Sequence, residues 1–216
     1  MGEQITDNPM NNQVHENDFP LFSVIVPAYN SAAYIRKLLD SIKTQTFTDY
    51  ELIVVCDSCA DNTAAIAREY TDHVHEVNFG RDGLTRNYGL DHATGRWVLF
   101  ADDDDWFLHE FVFEMIAGLI GKNDEDMLFF GFIWKGMGYA RNTKDNIFIA
   151  CWSKCWRRSF IGDTRFSDVK YVSDADFHRE MMLKRPRALF WDMPFYYYNY
   201  MRDGSQSDEQ HKLGLI

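Results

Sequence analysis

The chain has 216 residues, 46% of them hydrophobic and 16% aromatic, which supplies a sizeable core and excludes an intrinsically disordered protein. With 33 acidic and 22 basic residues the formal net charge is -11 and the cations are scattered, so a general nucleic-acid or anionic-membrane surface is disfavoured. The longest uncharged stretch, residues 19–35, is broken by Pro27, Asn30 and Ser31. No segment therefore offers the roughly 20 apolar residues of a membrane span, and a cytoplasmic location is expected, with peripheral attachment at the inner face of a membrane left open.

In chain order, residues 1–18 are polar, carry Glu3, Asp7, Glu16 and Asp18, and read as a flexible tail rather than a signal peptide. Residues 21–26 read as a buried strand ended by Pro27. Ser31 is placed to cap a helix whose Ile35, Leu38, Leu39 and Ile42 share one face. Residues 51–55 form a second apolar run, Asp61 caps a short helix over 64–67, and residues 74–77 alternate as a third strand. A helix over 84–92 ends at Gly95, and residues 97–101 form a fourth strand that runs straight into Asp102, Asp103, Asp104 and Asp105. Beyond it, helices are expected at 111–120 and 174–183, with strands at 127–134, 147–150, 188–191 and 195–200. No linker rich in Gly, Ser or Pro separates the halves, so 19–205 is expected to be one domain, followed by a tail over 206–216.

Strand alternating with helix implies right-handed crossovers and a mostly parallel α/β sheet. In such sheets ligands bind beyond the C-terminal strand ends, where Tyr29, Asp57 and the four aspartates emerge. A run of charge is usually a solvated face. At the mouth of a buried strand, however, these carboxylates repel one another unless a cation sits among them. Asp102 and Asp104, a D-x-D pair, offer hard oxygen ligands for Mn2+ or Mg2+, which commonly takes its remaining ligands from a diphosphate. Cys56/Cys59 and Cys151/Cys155 have spacings that admit zinc, but both pairs adjoin apolar runs and read as free thiols in a reducing compartment.

With these features in hand, the sequence resembles a family 2 glycosyltransferase with a GT-A fold, over about residues 21–205. The carrying segments are "FSVIVPAYNSAAYIRKLLDSIKTQTFTDYELIVVCDSCADNT", "RDGLTRNYGLDHATGRWVLFADDDDWF", "CWSKCWRRSFI", "YVSDADFHREMMLK" and "FYYYNYMRDGSQS", in the family's order. The resemblance implies a Rossmann-like central sheet with a mixed C-terminal extension, a nucleotide-binding half over 19–106 and an acceptor half over 107–205. It implies transfer of a hexosyl or hexosaminyl group from a nucleoside-diphosphate sugar, UDP-linked by preference, to a saccharide or lipid-linked saccharide hydroxyl. Inversion, assistance by Mn2+ or Mg2+, and a place in polysaccharide biosynthesis complete the expectation.

Residue by residue, the resemblance implies that Pro27 and Tyr29 shape the nucleobase pocket and that Asp57 accepts from the base, with a turn or cap role as the alternative for Asp57. Arg81 and Arg86 are expected to face the diphosphate, and Asp102 and Asp103 to lie against the nucleotide sugar. Asp104, with Asp102, would hold the metal. Asp174 matches the general base, although "SDAD" also reads as a helix N-terminus, and Asp176 is the fallback. Trp152 and Lys154 fall on the acceptor side, while Trp152, Trp156 and Phe160 at helical spacing also read as core, an ambiguity that Tyr196, Tyr197 and Tyr198 share. Two departures stand out: Cys56 replaces the first of the family's paired aspartates, and Asn199 stands where an arginine is common. The competing readings are a degenerate GT-A domain serving as a binding module and, from D-x-D alone, a phosphohydrolase.

Overall fold

A computed structural model describes residues 18–171 and 173–202, together with 205, 208, 211, 212 and 214. The expected N-terminal tail up to residue 17, and most of the C-terminal one, lie outside the described residues.

Four parallel strands build the first half. β1 (Phe22–Ala28) lies between β2 (Tyr50–Asp57) and β4 (Trp97–Phe100), with β3 (Val74–Val77) outside β2. Side-chain alternation divides two cores across this sheet. Val24, Val26 and Val54 face α1 (Ile35–Lys43), α2 (Thr63–Ala67) and α4 (Val112–Leu119), whereas Ile25, Ile53 and Val55 face α3 (Asp82–His92), α5 (Arg158–Ile161) and α6 (Ser173–Leu183). The expected α/β class, with helices on both faces, is the class the chain adopts. Among the described residues no helix is long and apolar enough to cross a membrane.

β1 does not end at Pro27. Ala101 N–H donates to Ile25 O at 3.0 Å, so that edge of β1 faces β4, and Pro27, two residues on, faces the same side beyond the last paired residue, Phe100. Its missing N–H therefore forfeits no ladder bond. Nor does Ser31 cap α1 with its side chain. Its carbonyl accepts from Tyr34 N–H and Ile35 N–H, and its own N–H donates to Thr63 Oγ1 at 2.8 Å, which ties the β1–α1 turn to α2.

The second half extends the same sheet in mixed sense. β8 (Lys154–Arg157) is antiparallel to β4, and β6 (Met127–Trp134) to β8. β9 (Ala188–Tyr198) then runs parallel to β6, β5 (Trp106–Phe107) pairs antiparallel with β9, and β7 (Gly138–Ala140) pairs with β6. Residues 147–150, expected as a strand, are not one. The strand is β8, preceded by a 3-10 turn over Cys151–Ser153. The Asn142 side chain replaces the ladder, donating to Phe130 O at 3.0 Å and accepting Phe148 N–H at 2.7 Å. Trp152 and Trp156 consequently enter opposite cores instead of sharing a helix face. The two strands expected at 188–191 and 195–200 are one, continued through Pro194 by register shifts opposite Gly131.

Candidate active site

The C-terminal ends of β1, β2 and β4 open on one rim, and the four aspartates divide it between them. Asp105 N–H donates to Asp102 O at 3.1 Å, a turn that sends the side chains to different partners. Asp102 Oδ1 meets Arg86 Nη2 at 2.6 Å, and Asp103 Oδ2 accepts Tyr29 N–H at 2.9 Å. Asp104 Oδ2 accepts from Arg202 Nε at 2.6 Å, and Asp105, fully buried, accepts Asn199 N–H at 2.7 Å. Tyr196 fixes the start of the run, its hydroxyl accepting Asp102 N–H at 2.9 Å.

Arg86 is the centre of a second layer. Its side chain is 5% exposed and pairs with Asp82 one helical turn earlier, with Asp102, and with Asp174 Oδ1 at 3.8 Å. Gly83 lets α3 come this close to α6, since a Cβ there would stand 2.7 Å from Ser167 O and 3.0 Å from Ser173 Cβ. Asp174, in the first turn of α6, accepts Cys151 N–H at Oδ2 (2.9 Å), and its Oδ1 accepts no hydrogen bond among the described residues. One guanidinium thus faces three carboxylates. Burial pushes Asp102 up to about 7 against the pull of Arg86, with Asp82, Asp174 and Asp104 adding repulsion. Burial, with Asp104 alongside, takes Asp103 to about 7 as well. Protonation or a bound cation would relieve this mutual repulsion.

At the end of β2, Asp57 organises the loop into α3. Its carboxylate accepts Phe79 N–H (2.8 Å), Gly80 N–H (3.0 Å), Arg81 N–H (3.1 Å) and the Thr85 hydroxyl (2.8 Å). Burial would raise this carboxyl, but the Gly80 amide, the Thr85 and Ser58 hydroxyls and the Phe79 amide together hold it below the ordinary range.

Residues 23–190 match the family described as Glycosyl transferase family 2. The chain belongs to that family. GlyA of Streptococcus pneumoniae, a glycosyltransferase, is 27% identical over 219 residues, which cover 86% of this chain and 31% of GlyA. TarS of Staphylococcus aureus, a poly(ribitol-phosphate) β-N-acetylglucosaminyltransferase, is 39% identical over 115 residues, half of this chain and 20% of TarS. The structure of TarS 1–349 in complex with UDP-GlcNAc aligns with a TM-score of 0.76 at 27% identity, covering 87% of this chain and 60% of that one. A mannosyltransferase of Pyrobaculum calidifontis, in complex with GDP-Man and Mn2+, shares the fold at a TM-score of 0.70 and 16% identity, over 92% of this chain and 62% of its own. The expected GT-A fold is thereby borne out, and family membership removes the basis for a phosphohydrolase. The chain spans a fifth to a third of these two curated relatives.

Within this family 2 chain the predicted site residues separate into groups. Tyr29 is 62% exposed on the rim, whereas Pro27 is buried inside β1. Arg81 stands partly exposed and pairs with Asp168 at 3.4 Å, while Arg86 is enclosed by its carboxylates. Asp176 accepts the Ser167 hydroxyl at 2.8 Å and pairs with Arg179. Trp152 and Lys154 are 2% and 0% exposed, and Tyr196 stacks on Trp152 at 5.0 Å. Sequence reasoning missed Asp82, whose i,i+4 spacing to Arg86 was a usable signal, and Arg202, which had none.

Among the described residues no group of three or more His, Cys, Asp or Glu side chains is arranged to enclose an ion. Hard oxygen donors on a partly exposed rim with surplus negative charge nonetheless fit Mn2+ or Mg2+ of the kind that binds through one or two carboxylates and completes its shell with water and a diphosphate.

Proposed function

We propose that this chain transfers a sugar from a nucleoside-diphosphate sugar, UDP-linked by preference, to an acceptor hydroxyl with inversion and with Mn2+ or Mg2+ as cofactor. Arg86 carries the reading. A single buried guanidinium holds Asp102 at 2.6 Å and Asp174 at 3.8 Å, so the carboxylate expected beside the diphosphate and the one expected to take the acceptor proton share an anchor. Asp174 is oriented by Cys151 N–H at Oδ2 and by Arg86 at Oδ1, and its partly exposed carboxylate would accept the acceptor hydroxyl proton as the new glycosidic bond forms and the bond to the diphosphate breaks. Asp104 and Asp102 would hold the cation, which supplies charge neutralisation for the leaving diphosphate. Tyr29 offers a flat, exposed ring to the base, Asp57 sets the loop beneath it, and Asp103 holds the Tyr29 backbone in place. Arg81 and Arg202 are the rim cations available to the phosphates.

UDP-GlcNAc is the first donor to test, because TarS binds it, and a carbohydrate or polyol-phosphate chain the first acceptor class. The deciding variant is Asp174→Asn, which keeps side-chain size and first-turn position. Turnover is expected to fall roughly a hundredfold or more with UDP affinity retained. Turnover within a few-fold of wild type would move the base to Asp176 or to the substrate itself.

A further inference from the structure

Lys154 is the buried charge that the proposed reaction leaves unused. It is 0% exposed and has no carboxylate within ion-pair distance among the described residues. Its three donors are matched by three oxygens: Phe148 O at 2.5 Å, Ala150 O at 2.6 Å and Ser153 Oγ at 3.2 Å. The rings of Phe129 and Trp156 lie 5.5 and 6.0 Å from its nitrogen. A buried ammonium is costly, and a methionine would fill the same space without that cost, so the placement calls for a reason. The segment that Lys154 grips supplies one. Residues 147–150 belong to no helix or strand, and the very next residue, Cys151, donates the N–H that holds Asp174 Oδ2 at 2.9 Å.

We infer that Lys154 is a positioning residue: by binding the carbonyls of Phe148 and Ala150 it fixes the peptide preceding Cys151, and through the Cys151 amide it fixes the orientation of Asp174. Arg86 holds one carboxylate oxygen, and the lysine-tethered amide holds the other. The carboxylate is thereby clamped from α3 on one side and from the β8 approach on the other, which a general base requires if its free lone pair is to face the acceptor. Burial lowers Lys154 to about 7, so the tether also carries a cost that a purely structural contact would not need.

The inference rests on Asp174 being the base, and its test separates the two. In Lys154→Met, hydrogen exchange at the Cys151 amide is expected to rise tenfold or more while the amides of β6 and β8 keep their protection. With the donor that supports turnover, kcat is expected to fall tenfold or more and KM and UDP affinity to change less than twofold. Should Lys154→Met not fold, Lys154→Gln, which shortens the donor away from the two carbonyls, carries the same exchange and kcat readouts, and Cys151→Pro tests the amide link beside it. Cys151→Pro deletes the same N–H at the first position of a 3-10 turn, where the preceding Ala150, at φ -56 and ψ 136, already has the backbone that proline requires. The same kcat-only loss is expected. Unchanged exchange at Cys151, or a kcat that survives its release, overturns the tether. An active Asp174→Asn overturns the base assignment and the tether with it, whereas an inactive Asp174→Asn beside a fully active Lys154→Met overturns the tether alone.

Discussion

Two arginines neutralise the acidic rim in different ways. Arg86 rises from α3, is 5% exposed, and is surrounded by Asp82, Asp102 and Asp174. Arg202 follows β9 on no regular element, is 14% exposed, lies 4.4 Å over the Tyr34 ring, and reaches Asp104 and Asp103 from the solvent side. The difference is one of replaceability. Withdrawing Arg86 would strand carboxylates between two packed helices, whereas withdrawing Arg202 would break two ion pairs and one ring contact at a more accessible place, the place proposed above for a metal and a diphosphate. The rim thus has an enclosed cation, Arg86, and a less enclosed one, Arg202, which the proposed function makes exchangeable.

The comparison breaks first at Arg86. Arg86→Ala is expected to cost about 3–5 kcal/mol of stability, because the carboxylates of Asp82, Asp102 and Asp174 lose the guanidinium paired with all three, and to abolish turnover. Chemical denaturation with and without Mn2+ checks it, and full restoration by Mn2+ would mean that Arg86 is no more fixed than Arg202. Lys154 adds a third cation, buried with no carboxylate at ion-pair distance among the described residues, though Asp174 acts on it from farther away. Its folded-state value of about 7 against an ordinary 10.5 means that the unfolded chain binds more protons between those values, so this group's contribution raises stability as pH climbs through the window. Wild type is therefore expected to gain several kcal/mol relative to Lys154→Met between pH 7 and pH 10, on the order of the shift itself. Parallel stability profiles for the two proteins would show the ammonium to be unstrained. The smallest effect belongs to Arg202→Ala: a loss of about 1–2 kcal/mol, recovered in excess Mn2+, with Mn2+ binding in the absence of nucleotide strengthened a few-fold. Weaker Mn2+ binding in calorimetry would instead make Arg202 part of the metal seat.

What the sequence by itself determined is the order of the first half and the location of its chemistry. Apolar runs of strand length, separated by helical spacing, require a parallel sheet with one ligand rim, and the charge run after β4 falls on that rim wherever the helices pack. The D-x-D segment was legible because carboxylates at the mouth of an apolar strand are costly without a partner, whereas "SDAD" was legible only through the family resemblance and otherwise reads as a helix N-terminus. The individual partners were decided by tertiary structure. β5 is two residues long and has no period to read, and β9 hides a bulge at Pro194 that looks like a break. Arg202 meets Asp104 across 98 positions, a pairing that no local pattern encodes. Lys154 is the sharpest case, since the resemblance placed it on the acceptor side and the structure encloses it in the core. Only when residues 148–153 fold around it do three oxygens converge to satisfy its ammonium, a convergence that no local sequence pattern encodes.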